Sequence, residues 1–239
     1  MSAVSAYRGV ATLTNVPTIA ATFVKQVASD PAKPMLTWYD ATSGERTELS
    51  GATLANWVAK TANLLVDSCG LGRGDVAVVD LPPHWQTAAI MLGCWTAGLS
   101  VSSGQKGDVS FGLTGSNAEY AVGLHPFALP VRKLTAGQQD WVLSARAHGD
   151  YYGGPPADPT APAWEGLSHS ELVAKAQERA NELRLSPGDR ALFNVDTRPL
   201  LDWLLAPVAA GSSMVLCRNA DPETMQRWAA TERVTHALS

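Results

Sequence analysis

The order of apolar and polar positions repeats once along the chain. Leu54, Val58, Ala62 and Leu65 are spaced to fall on one face of a helix. Leu172, Ala176, Ala180 and Leu183 repeat that face 118 residues later, and Ser50 and Asn63 recur as Ser168 and Asn181. Behind each helix stands a glycine–aspartate pair, Gly74-Asp75 or Gly188-Asp189, followed by VAVV at 76–79 or RALF at 190–193. A second helix then closes at Gly98 or Gly211 and leads into another strand, WTAGLSV in one copy and VAAGSSMV in the other. VAVV and MVLC are apolar without alternation, as strands buried on both faces should be. The pattern predicts an α/β fold: layered, mostly parallel sheets built from two pseudo-repeated helix–strand–helix–strand halves.

Other segments fit around the halves. TIAATFVKQVA, residues 18–28, predicts a first helix, and MLTWYDATSGERTEL, 35–49, a hairpin around Ser43-Gly44. Ser168 and Glu171 form a capping-box pair at the start of the repeated helix. DPETMQRWAATER, 221–233, predicts a helix capped by Asp221 with Pro222 in its first turn, and VTHALS starts a strand. GDYYGGPPADPTAPAWEG, 149–166, reads as a loop. The expected organisation is a single α/β domain over 1–239, with pseudo-repeats at about 15–148 and 164–239 joined by that loop.

The stretch GLGRGDVAVVD, 70–80, has the glycines of a phosphate loop but the wrong order. A phosphate loop follows a strand and opens a helix, so that unpaired amides face the anion. This one closes a helix and opens a strand, which predicts a left-handed helix cap. Its twin keeps one glycine and carries Pro187 where Arg73 stands. A better-ordered candidate is VSFGLTGSNAEYAV, 109–122, where a strand runs into Thr114-Gly115-Ser116 and on toward a helix, although no lysine follows at P-loop spacing. Asp196 and Arg198 follow the second-half strand, at the carboxyl edge where α/β folds bind ligands. Asp196, Arg198, Thr114, Gly115 and Ser116 are therefore the candidate ligand residues. A local surface pair between Asp196 and Arg198 is the competing reading.

Composition narrows the function classes. With 46% hydrophobic and 17% charged residues the chain is globular, and its net charge of −4 gives no footprint for nucleic acid or an acidic membrane. A chain of this length buries roughly 70–75% of its unfolded surface. The longest apolar run, 88–99, is short of the ~20 residues of a membrane span. The first 15 residues lack the pattern of a signal peptide, so a cytoplasmic protein is expected. Cys69, Cys94 and Cys217 read as reduced thiols. The histidines 84, 125, 148, 169 and 236 have no partner at zinc spacing, so no metal is expected. There is no nucleophile elbow and no evident nucleophile–base pair, and no catalytic residue is assigned. His169 is expected to be solvated in the first turn of its helix, most tryptophans to pack in the core, and Trp164 to pin its loop.

The two halves together resemble the N-terminal part of the AMP-binding, adenylate-forming enzymes, which include acyl-CoA synthetases. RTELSGATLANWVAKTANLLVDSCGLGRGDVAVVDLPPHWQTAAIMLGCWTAGLSV is similar to that family's opening segment, and GLSHSELVAKAQ to its SH-x-x-L helix. SPGDRALFNVD, LLAPVAAGSSMVLC and DPETMQRWAATERVTHAL continue the pattern in order, most like a short actinobacterial-type branch. The resemblance implies an ATP-phosphate loop rich in Ser, Thr and Gly and ending in Pro-Lys-Gly just before the SH helix. Here PPADPTAPAWEGLSH, 155–169, has Thr160 alone among Ser and Thr ahead of that helix, one glycine, Gly166, and no lysine. Its prolines remove amide donors. Where the acyl-activating branch places a histidine after the second-half strand, Asp196 and Arg198 stand instead. The adenine- and ribose-binding motifs and the C-terminal catalytic lysine would lie beyond VTHALS. The resemblance therefore implies a truncated, catalytically inactive relative that binds or regulates. The alternatives are one half of a split acyl-adenylate-forming ligase completed by a partner chain, or a pure interaction scaffold. No cofactor is expected, with weak ATP or AMP binding left open. A homodimer or a partner protein is expected on the surface of the missing subdomain, with neither nucleic acid nor membrane as partner.

Overall fold

A computed structural model describes residues 17–104 and 106–238. Residues 1–15, where no signal peptide is expected, lie outside the described residues. In chain order the main elements are α1 (Ile19–Ser29), β1 (Pro34–Asp40), β2 (Glu45–Ser50), α2 (Gly51–Asn63), β3 (Val76–Asp80), α3 (Trp85–Thr96), β4 (Ser100–Ser102), β5 (Val109–Leu113), β6 (Tyr120–Val122), β7 (Gln139–Asp140) and α4 (Trp141–Arg146). Then come β8 (Pro162–Trp164), β9 (Leu167–Ser168), α5 (His169–Glu182), β10 (Arg190–Asn194), α6 (Ala206–Ala210), β11 (Ser213–Arg218), α7 (Pro222–Thr231) and β12 (His236–Leu238). Wide, π-type turns extend α2 over Leu64–Ser68 and precede α6 over Leu201–Leu205.

Two sheets form. One has the order β12-β10-β11-β1-β2, the other β7-β6-β5-β3-β4-β8-β9. All pairings are parallel except the two hairpins, β1–β2 and β8–β9. β1 comes from the first half but pairs with β11 of the second, Leu36 opposite Met214 through Asp40 opposite Arg218. The segment 149–166, expected as loop throughout, contains β8, which pairs with β4 through Trp164 and Val101. Trp164 thus pins its segment by joining a sheet.

The duplicated turns are the same object. Gly74 and Gly188 both take left-handed φ values, 98° and 88°. Asp75 accepts from the Gly72 amide through its carboxylate (2.8 Å) and from the Ser100 amide through its carbonyl (3.0 Å). Asp189 does the same with Ser186 (2.7 Å) and Ser213 (2.8 Å). Each aspartate carboxylate therefore closes its own turn, that of Asp189 also accepting from the Thr235 hydroxyl (2.8 Å), and each carbonyl opens the parallel ladder to the next strand.

α3 is the hub. Every residue from Trp85 to Trp95 is buried, so the helix has no solvent face. It packs against α2 and touches β1 of one sheet and β3 of the other. Where α2 and α3 cross, Gly93 is required: an added Cβ would lie 2.6 Å from the Thr61 Cβ and 3.2 Å from the Val58 carbonyl oxygen. Thr61 cannot retreat easily, because its hydroxyl donates to the Trp57 carbonyl (2.8 Å) and accepts from the buried Trp141 indole (3.3 Å). Trp57 itself lies tilted between Trp85 and Trp141, as expected of a core tryptophan cluster.

A buried carboxylate ties the end of α7 to three strands. Glu232 accepts from the Tyr39 hydroxyl (2.7 Å) and Arg46 (2.8 Å), and pairs with Arg190, whose guanidinium also donates to the Thr37 hydroxyl (2.8 Å). Burial pushes this carboxyl up, but the three hydrogen bonds outweigh it and hold it below the usual carboxylate range.

Gly93→Ala is expected to destabilise the protein by about 1–3 kcal/mol in urea unfolding. Gly72→Ala, where the added methyl meets open space, should leave stability within about 0.5 kcal/mol. Glu232→Ala is expected to cost about 3–5 kcal/mol, because it strands Arg190, whose side chain is only 14% exposed. Arg46→Ala, removing a half-exposed partner, should cost much less by the same measurement.

Candidate functional site

The sequence candidates fall on two sheets. Asp196 and Arg198 lie beyond the carboxyl end of β10, in the five-stranded sheet. Asp196 accepts from the Asn219 amide (2.6 Å), and the Asn219 side chain donates to Asp40 at the end of β1 (3.1 Å). Asn219 takes a left-handed φ of 54° to do so, which asparagine tolerates better than most residues. Asp196 therefore fastens together the ends of β10, β11 and β1. Arg198 pairs with Asp202 (3.1 Å), which also receives a two-pronged contact from Arg179 of α5 (2.8 and 3.0 Å). Burial raises the Asp202 carboxyl, but the hydrogen bonds from the two arginines dominate and lower it. Both residues thus serve as fastenings in this sheet, Asp196 toward Asn219 and Arg198 toward Asp202.

Thr114, Gly115 and Ser116 sit at the carboxyl end of β5, in the other sheet. They form a turn, with the Ser116 amide donating to Leu113 (3.0 Å) and Gln138 holding the Ser116 carbonyl (2.9 Å). No helix follows. The next element is strand β6, because the apolar run Tyr120-Ala121-Val122 is buried as the neighbour of β5. The turn therefore lacks the helix N-terminus that a phosphate site would use.

The segment before α5 is built of engaged donors. The Thr160 amide and hydroxyl both donate to Asp158 (2.7 Å each), and the Ala161 amide to the Asp158 carbonyl (3.1 Å). The Ser168 amide donates to Glu171 (2.8 Å), closing the capping box, and the His169 and Ser170 amides to Ala161 (3.0 Å) and Pro159 (2.9 Å). Arg73 is paired with Asp158 (2.8 Å). These backbone bonds fold the segment over α5, so His169 is fully buried rather than solvated, with neither ring nitrogen partnered. Burial lowers its pKa, opposed by Asp158.

The structure adds one group that sequence reasoning passed over. His84 follows Pro82-Pro83 at the end of β3 and caps α3, its Nδ1 accepting from the Gln86 amide (3.1 Å). It is 1% exposed and meets Trp38 of the opposite sheet edge-on, with ring centroids 4.7 Å apart. Burial first, and then the charge of Arg218, push its pKa down to about 3, against the pull of Asp40. Since Nδ1 is the acceptor, the neutral ring carries its proton on Nε2. That nitrogen, the Trp38 indole nitrogen and the Gln86 carbonyl oxygen are all buried without a partner. The sequence signal was present, a histidine directly before an apolar helix. At neutral pH this ring accepts a hydrogen bond and stays uncharged.

A cavity of about 450 Å³ lies elsewhere. It opens at the amino ends of β1 and β11, between α1, the Pro187-Gly188 turn and the end of α6, opposite the edge that holds Asp196. Among the described residues no three His, Cys, Asp or Glu side chains gather as a metal site would need. No helix of the described residues is long and apolar enough to cross a membrane.

Two mostly parallel sheets sharing a buried helix define the N-terminal fold of the adenylate-forming enzymes, and comparison agrees. The sequence profile of the AMP-binding enzyme family matches residues 23–103. An acyl-CoA synthetase of Brucella canis superposes with a TM-score of 0.69 at 16% identity, over 92% of this chain and 47% of that one. Acetoacetyl-CoA synthetase of Streptomyces lividans gives 0.67 at 17%, over 90% and 41%. The N-terminal domain of FACL13 from Mycobacterium tuberculosis gives 0.62 at 12%, over 91% and 61%. The chain thus spans about half the length of these solved structures. A Mycobacterium tuberculosis (strain H37Rv) protein called TIGR03089 family protein is 36% identical over 228 residues, 88% of this chain and 93% of that one. The chain belongs to that family.

Because unfolded His84 binds a proton near pH 6.5 and the folded ring only near 3, stability should fall as pH drops below about 6.5. The slope from this residue is about 1.4 kcal/mol per pH unit. His84→Asn keeps an acceptor for the Gln86 amide and removes the titration. Its urea unfolding free energy, measured between about pH 6 and pH 4, should show a slope smaller by that amount.

Proposed function

We propose that this chain is a catalytically silent relative of the adenylate-forming enzymes that acts as a binding or regulatory domain. The observation that carries the reading is the segment before α5. Where the resemblance calls for donors toward ATP phosphates, the Thr160, Ala161, Ser168, His169 and Ser170 donors named above are all taken by acceptors of the chain itself. The carboxylate of Asp158 stands among them and would repel a phosphate. Hydrogen bonds from Thr160 hold that carboxyl below the ordinary range. Catalysis of this kind depends on positioned donors and cations, each worth about 3 kcal/mol of barrier. A site without them lacks the means to transfer an adenylyl group.

The fact that the chain spans under half of two acyl-CoA synthetases favours one second reading, a ligase half completed by another chain. Both readings give the same expectation for the chain by itself. ATP–pyrophosphate exchange with a panel of carboxylic acids should stay at background, and exchange above background overturns the proposal. Purification from the native host distinguishes the two: a stoichiometric partner that restores exchange selects the ligase half. Weak ATP or AMP binding, read by calorimetry, is compatible with the regulatory reading.

A further inference from the structure

The loop from Gly123 to Gln138, between β6 and β7, holds apolar side chains in water against two opposing forces. Phe127 is 69% exposed, Leu129 51% and Leu134 37%. Loops are usually polar, and an exposed phenylalanine beside two exposed leucines is the less expected case. The exposure does not come from a loose backbone. The Pro126 carbonyl accepts from both the Trp85 indole (3.1 Å) and the Thr47 hydroxyl (3.1 Å). The His125 carbonyl accepts from Gln86 (2.8 Å) and from the Ala128 amide (2.9 Å), and the Val131 amide donates to the Asp140 carboxylate. Pro126 and Ala128 are buried, so Phe127 is turned outward between two anchors. Leu124 and Ala128 both take left-handed φ values of 49°, a region that residues with a Cβ avoid. Strain of this kind concentrates where a surface is shaped for a ligand.

Charge says what the surface fits. Residues 123–138 contain no Asp or Glu, although the chain as a whole carries −4. Arg132 and Lys133 lie between Leu129 and Leu134, both are exposed, and neither forms an ion pair among the described residues. The cavities of about 450 and 270 Å³ are lined by other residues, and what the loop offers is exposed side chains. We propose that this loop docks the protein on an anionic lipid surface, with Phe127, Leu129 and Leu134 entering the headgroup–acyl boundary and Arg132 and Lys133 meeting lipid phosphates. The proposal replaces, for this one face, the absence of membrane contact that the whole-chain charge leads one to expect. It does not depend on whether the chain adenylates anything.

The test is sedimentation of the full chain with phosphatidylcholine vesicles, with and without about one third phosphatidylglycerol. Binding is expected only to the anionic vesicles, falling as salt is raised. Phe127→Ser should weaken it about tenfold or more. Arg132→Gln with Lys133→Gln should weaken it roughly 20–30-fold, from about fivefold per cation. All these positions are exposed, and circular dichroism melts equal to the wild type confirm that each variant folds. Failure to sediment with anionic vesicles overturns the proposal, and so does binding that Phe127→Ser leaves unchanged. Light scattering supplies a third overturning result: a wild-type dimer that Phe127→Ser converts to a monomer, without vesicle binding, assigns the loop to self-association.

Discussion

The structure depends on one helix that has no outside. α3 is buried from Trp85 to Trp95, and it touches strands of both sheets. A helix in that position cannot use solvent to satisfy or relax anything, so its neighbours must fit it. Gly93 lets α2 approach to where Thr61 would strike a methyl. His84 supplies the acceptor for the first turn and then has to stay neutral, because it is inside with the helix it caps. The same packing brings Trp38 from the opposite sheet against that ring.

Around this centre, charged side chains are used as fasteners. The aspartates of the two glycine turns close their own loops, and Asp196 ties strand ends through Asn219. Glu232 and Asp202 are nearly buried carboxylates, each held by two arginines. Such clusters are strongly destabilising to break and add little over an apolar replacement. Their effect is to fix which element meets which. Glu232 joins the end of α7 to β1, β2 and β10, and so joins the chain's first strands to its last helix.

The same use of polar groups as fasteners extends to the segment before α5. There the named amides and hydroxyls are taken by acceptors of the chain itself, and a carboxylate stands among them. Among the described residues, the buried side-chain groups that lack partners are on Gln26, Trp38, His84, Gln86 and His169, none of them a carboxylate, lysine or arginine. Against this background the loop bearing Phe127 is an exception. It is a well-anchored part of the molecule in which apolar groups remain exposed.

The repeat, the two glycine turns, the hairpin and the capped helices were legible in the residues, because each rests on contacts within a few positions: a 3.6-residue apolar face, a left-handed glycine, a serine three residues before a glutamate. The N-terminal resemblance to adenylate-forming enzymes was legible for the same reason, as an ordered series of such local signals. What needed the tertiary structure involves partners distant in sequence. Asp196 meets Asn219, Arg198 meets Asp202 beside Arg179, and β8 emerges from a proline-rich segment because β4 offers it an edge. His169 changes from an expected surface residue to a buried one because a segment eight residues upstream folds over it. A sequence specifies what each residue can donate, accept or bury. Which of several suitable partners a charge receives, and which face of a turn is left to water, depends on packing the two sheets around one helix, and only the folded chain decides it.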